Sequence, residues 1–105
     1  MVVDDSFKKE FIDKYTKVGE QKFYNFLLTY ALNKLISIEK GSYTGESPEL
    51  EFLEYHDRFI ILYRRDGESI SLELARIFRR VAHKLYRVLL KKNKTTKNLK
   101  FLNMV

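Results

Sequence analysis

The sequence predicts an α+β domain: two N-terminal helices, a β-hairpin with a third strand of at most a few residues, and a long basic amphipathic C-terminal helix. Three observations carry this reading. Apolar residues recur at spacings of three and four in residues 7–18 and again in 74–89. Two aromatic and β-branched runs, residues 50–55 and 59–63, flank the short polar segment His56-Asp57-Arg58. Glycine or proline punctuates the joins, at Gly19, Gly41, Gly45, Pro48 and Gly67. Helices are read from the first pattern and strands from the second.

The first helix begins at Asp4-Asp5-Ser6, where side-chain oxygens can cap backbone N–H groups and negative charge suits a helix N-terminus. Phe7, Phe11, Tyr15 and Val18 form one stripe along it. After Gly19 the apolar set turns to another face, so two helices broken near Gly19 fit better than one straight helix. The second, centred on residues 23–38, is apolar over a wide arc and is expected to be the central core element. Gly41 supplies a natural stop, and residues 42–48 form the loop.

Residues 50–55 and 59–63 are then paired as the hairpin, and Asp66-Gly67 is read as a second turn. Ile70, Leu72 and Leu74 alternate with polar residues, which allows the short third strand before a helix from about Leu72. In that last helix Leu74, Ile77, Phe78, Val81, Leu85, Val88 and Leu89 share one face. It is expected to end near Lys92-Asn93. Residues 1–93 thus form a single α+β domain, and residues 94–105 a basic tail whose apolar terminus docks on the domain or on a second chain. Both faces of 59–63 are apolar, and two or three strands are marginal alone, so a homodimer through the sheet or the C-terminal segment is expected.

The net charge of +6 conceals a segregation. Residues 1–73 sum to −4, whereas residues 74–105 carry ten Lys or Arg and no acid. Arg76, Arg80, Lys84, Arg87 and Lys91 line up along the last helix; Arg79 and His83 widen the row, and Lys94 begins the basic tail. A row of this kind can follow a phosphate backbone, each cation displacing condensed counterions. Tyr86 lies near its boundary, where a ring can stack on a base or sugar. The candidate nucleic-acid-binding residues are therefore Arg76, Arg79, Arg80, His83, Lys84, Arg87, Lys91 and Lys94. The alternative is a non-enzymatic interaction module, a small subunit or inhibitor, that docks the same helix on an acidic protein. A solvated face that merely keeps the chain soluble is the bland reading of the same charges.

Other chemistry finds little support. With no cysteine there is no disulfide framework, thiolate metal site or cysteine nucleophile. Two histidines make a multi-histidine metal site hard to build. The four glycines form neither GxGxxG nor GxxxxGK[ST], and GxSxG, HExxH, helix-turn-helix spacing and a GXXG loop are all missing. Glu49, Glu51, Glu54, His56, Asp57 and Arg58 cluster around the hairpin and could hold a divalent metal on a strand face. A solvent-exposed turn contains the same residue types, and nothing there sets a nucleophile beside a base. No enzyme, cofactor or metal is expected. With no signal pattern, and an apolar stretch at 23–38 too interrupted to span a bilayer, the expected setting is intracellular, cytoplasmic or nucleoid-associated.

Overall fold

The computed structural model describes residues 5–43 and 45–104, with side chains described for 6–43 and 45–91. Four helices account for its secondary structure: α1 (Asp5–Val18), α2 (Glu20–Glu39), α3 (Pro48–Asp66) and α4 (Ser69–Met104). No strand occurs among the described residues, so the α+β class, the hairpin and the third strand are all overturned.

The physical reason lies in α3. Its buried residues, Pro48, Glu51, Phe52, Phe59 and Leu62, recur at helical spacing and face one side. Pro48 occupies the first turn, where its missing N–H costs nothing, after an extended Ser47. His56-Asp57-Arg58 is the polar flank of a continuous helix rather than a turn. The aromatic richness that suggested strands reflects a preference for half-buried surfaces, which a helix face satisfies equally.

Gly67 ends α3 with φ of 70°, and its N–H donates to the Tyr63 carbonyl at 2.7 Å. A left-handed backbone suits glycine because no Cβ meets the neighbouring carbonyl. The same property read as a hairpin turn thus closes a helical hairpin, with α4 starting two residues later at Ser69. At Gly19, φ of 85° makes the break between α1 and α2 that the sequence pattern predicted.

The centre of the core is α4 rather than α2. It buries Leu74, Ala75, Ile77, Phe78, Val81, Ala82 and Leu85, whereas α2 buries only Phe23, Leu27 and Ala31. Phe78 sits within 5.0–6.1 Å, centroid to centroid, of the rings of Phe11, Phe23, Phe52, Tyr55 and Phe59. Each such fully buried side chain contributes about 1.5–3 kcal/mol relative to leaving it in water. The α1 stripe of Phe7, Phe11, Tyr15 and Val18 packs half-buried against this cluster. Phe59 and Leu62 are fully covered within one copy, which removes the sheet-based reason for a homodimer.

One charged group enters the interior. Glu51 is 8% exposed and binds the Lys34 ammonium of α2. The Tyr55 and Tyr30 hydroxyls donate to its other oxygen at 2.7 and 3.2 Å. Burial alone lowers the Lys34 pKa, but hydrogen bonds to Glu51, Tyr43 and Tyr30 outweigh it and hold the ammonium above the ordinary lysine range. Burial, and then the Glu51 contact, raises the Tyr55 hydroxyl. At the opposite end of α3, Lys8 of α1 bridges Asp66 and Glu68, both at 3.0 Å. Arg65 and Lys8 together hold the Asp66 carboxylate well below its usual range.

α4 passes Lys92-Asn93 without a break and runs to Met104, so the stop expected there is not seen. The side chains of Lys94 and the rest of the tail, and the docking expected of residues 99–105, lie outside the described residues.

Candidate nucleic-acid interface

At about 100° per residue, the buried set of α4 and its cations fall on opposite sides of the helix. Leu74, Phe78, Val81 and Leu85 point into the core, and Arg76, Arg79, Arg80, His83, Lys84, Arg87 and Lys91 are all exposed. From Arg76 to Lys91 the row covers about 22 Å at ~1.5 Å per residue. The packing that anchors one face of α4 therefore fixes the direction of the other.

Six of these residues, Arg76, Arg79, Arg80, His83, Lys84 and Arg87, join Tyr24 of α2 around an open hollow of about 510 Å³. The Arg80 guanidinium lies 4.7 Å above the Tyr24 ring and reaches Glu20 at 3.3 Å. Arg79 Nε approaches His83 Nε2 at 3.4 Å. Among the described residues, Arg76, Lys84 and Arg87 have no carboxylate partner, and Arg80 pairs with Glu20. The acids of α3 do not neutralise it: Glu51 binds Lys34, and Glu54 binds Arg58 at 2.8 Å. A dense cationic row with so little internal neutralisation creates a strong local positive potential.

A second hollow, of about 330 Å³, runs along the α3 side of the row. Leu50 and Leu53 of α3 and Ala82, His83 and Tyr86 of α4 line it, with Glu49 at its edge. Tyr86 is 57% exposed and Leu50 52%, high values for apolar rings and chains on so small a protein. His83 borders both hollows, so cationic and apolar surfaces meet along one line.

Sequence reasoning found the cations and Tyr86, and missed Tyr24, Glu20, Leu50 and Leu53. The first two come from α2 through tertiary packing and carry no local signal. Leu50 and Leu53 were assigned to a strand; at helical spacing they fall off the Phe52–Phe59 face, and that displacement marks them as surface residues. The other candidate cluster is not assembled into a site. His56 pairs with its neighbour Asp57 at 3.0 Å, Glu51 and Glu54 are tied to separate cations, and no group able to hold a metal occurs among the described residues. No described helix is long and apolar enough to cross a membrane. Comparison with known sequence families, curated proteins and solved structures gives no match to this chain.

Proposed function

We propose that the protein is a nucleic-acid-binding accessory protein, not an enzyme, that grips phosphates along the exposed face of α4. The observation that carries this reading is the run of Arg76, Lys84 and Arg87, unpaired among the described residues and aligned with Arg80 over about three helical turns. Counterion release from nucleic acid makes such a row favourable without any base contact.

The test is a salt titration of binding to a short duplex. With about four phosphate contacts, log affinity falls linearly with log salt at a slope near −4, from ~0.9 per phosphate. Lys84→Ala with Arg87→Ala lowers the slope by about 2 and weakens all sequences alike, because phosphate contacts carry no base information. These two are better probes than Arg80, which Glu20 and Tyr24 already engage. The variant folds, since both residues are exposed opposite the core face. An unchanged slope in the folded variant moves the binding surface elsewhere.

A protein partner with an acidic face is the second reading, favoured by the apolar hollow beside the cations. Stoichiometric binding of one acidic protein, with no binding to nucleic acid at about 50 mM salt, would decide for it.

A further inference from the structure

We infer that the hollow formed by Leu50, Leu53, Ala82, His83 and Tyr86 receives an unstacked base, so that the preferred ligand is single-stranded nucleic acid. This rests on the phosphate-binding reading of the α4 row and extends it to the class of nucleic acid.

Two surfaces run side by side along α4. One is cationic, through Arg76, Arg80, Lys84 and Arg87; the other is apolar, through Leu50, Leu53 and Tyr86. A single strand presents the same pair of features, a charged backbone with an aromatic plane branching from each sugar. A duplex does not, because its base planes are stacked inside, and the apolar hollow would then face sugars and phosphates. The single-strand pattern of a basic track beside aromatic stacking platforms is the one that binds without sequence preference.

The hollow's dimensions and polarity favour a base over other occupants. At about 330 Å³ it lies at the small end of pockets that take ring-sized ligands, roughly 300–1,000 Å³. Its α4 wall spans only residues 82–86, little more than one turn, whereas a docked helix needs anchors at i, i+3, i+4 and i+7 along a groove. Glu49 Oε2 is buried at its edge without a hydrogen-bond partner. Closed off from solvent, that oxygen takes no bond from a ligand, but the charge at the edge still repels a phosphate. The phosphates are thereby directed to the row and the base to the hollow, with His83 at the boundary.

The experiment compares three fluorescent 16-mers on the full chain by anisotropy: a mixed-sequence single strand, its duplex, and an abasic strand with the same phosphates. The mixed single strand is expected to bind about 5–100-fold more tightly than either of the others, from one stacked base. Its salt slope is near −3 for about four contacts, shallower than on duplex because single strands release ~0.7 ions per phosphate. Tyr86→Ala abolishes the single-strand preference and leaves duplex affinity in place, whereas Tyr86→Phe retains it, since the ring and not the hydroxyl does the stacking. Equal affinity for all three ligands with the salt slopes intact overturns the inference and leaves the phosphate row standing. Absence of binding to any of them at about 50 mM salt removes both. A dimer in sedimentation that Tyr86→Ala dissociates would overturn it as well, by assigning the hollow to contact between copies of the chain.

Discussion

Replacing Lys34 by Met tests how the interior tolerates the buried Glu51 carboxylate. Removing one partner of a buried ion pair costs about 3–5 kcal/mol, because the other charge is left in a poorly solvated site. Here the side chains of Lys34 and Glu51 are still 16% and 11% exposed, and the Tyr30 and Tyr55 hydroxyls keep donating to Glu51. Those two features reduce the expected loss to about 2–3 kcal/mol. For a chain of this length that is a fall of roughly 10–20 °C in Tm. Chemical denaturation followed by circular dichroism measures it. Changing Glu51 to Met as well should recover part of the loss, since an apolar pair replaces the ionic one while the Tyr30 and Tyr55 hydroxyls lose their acceptor. The pH dependence carries a sign. Lys34 and Tyr55 both have raised pKa values in the fold, so the stability they lend is complete below the unfolded values, ~10.4 and ~10, and is lost as pH climbs through the folded ones. The gap between wild type and Lys34→Met must therefore narrow above pH ~10. A variant within about 0.5 kcal/mol of wild type at neutral pH would refute the reasoning and class the pair with solvent-screened surface bridges.

Two further outcomes follow from the packing and from the row. Phe78→Ala, at the centre of five rings, should cost about 3–5 kcal/mol in urea denaturation with the m-value of wild type, and a loss below 1 kcal/mol would mean the cluster is not the core. Glu20→Gln removes the acid that pairs with Arg80, so duplex affinity should rise about 1.5–5-fold at low salt, read from the same anisotropy titration; a fall would place Glu20 among the groups that position Arg80 for binding.

How far each part could be read from sequence depended on whether its signal was local. The break at Gly19, the stop at Gly41 and the two faces of α4 up to Leu89 are set by neighbours within a few residues. The identity of α3 is not. Residues 50–55 and 59–63 satisfy strand composition, and what makes them helical is a stripe at 52, 55, 59 and 62 that meets Phe7, Phe11 and Phe78 from distant parts of the chain. β-propensity describes how a side chain fits a half-buried surface, so local composition decides poorly when another helix supplies that surface. The same limit applies to the site. Its cations were visible because one helix carries them, while Tyr24, Glu20, Leu50 and Leu53 join only when α2 and α3 are packed against it.

The cationic row is a cost to the fold, and this bears on why it is there. Arg76–Arg80, Arg80–Lys84 and Arg87–Lys91 are like charges at i,i+4, and Arg76–Arg79 and Lys84–Arg87 are like charges at i,i+3. Such pairs destabilise an isolated helix by roughly 0.2–0.5 kcal/mol each, so the five together take about 1–2.5 kcal/mol at low salt. The opposite face of α4 offsets this with Leu74, Phe78, Val81 and Leu85, which are fully buried. A solvated face needs no such alignment; alternating acids and bases would keep the chain soluble and support the helix as well. Salt screens the repulsion within the row and also screens its attraction for phosphates. Stability and affinity consequently move in opposite directions as salt rises. An anion bound along the row relieves the repulsion and stabilises the fold by linkage. The helix that builds the core thus holds its cations in a strained array whose relief favours binding.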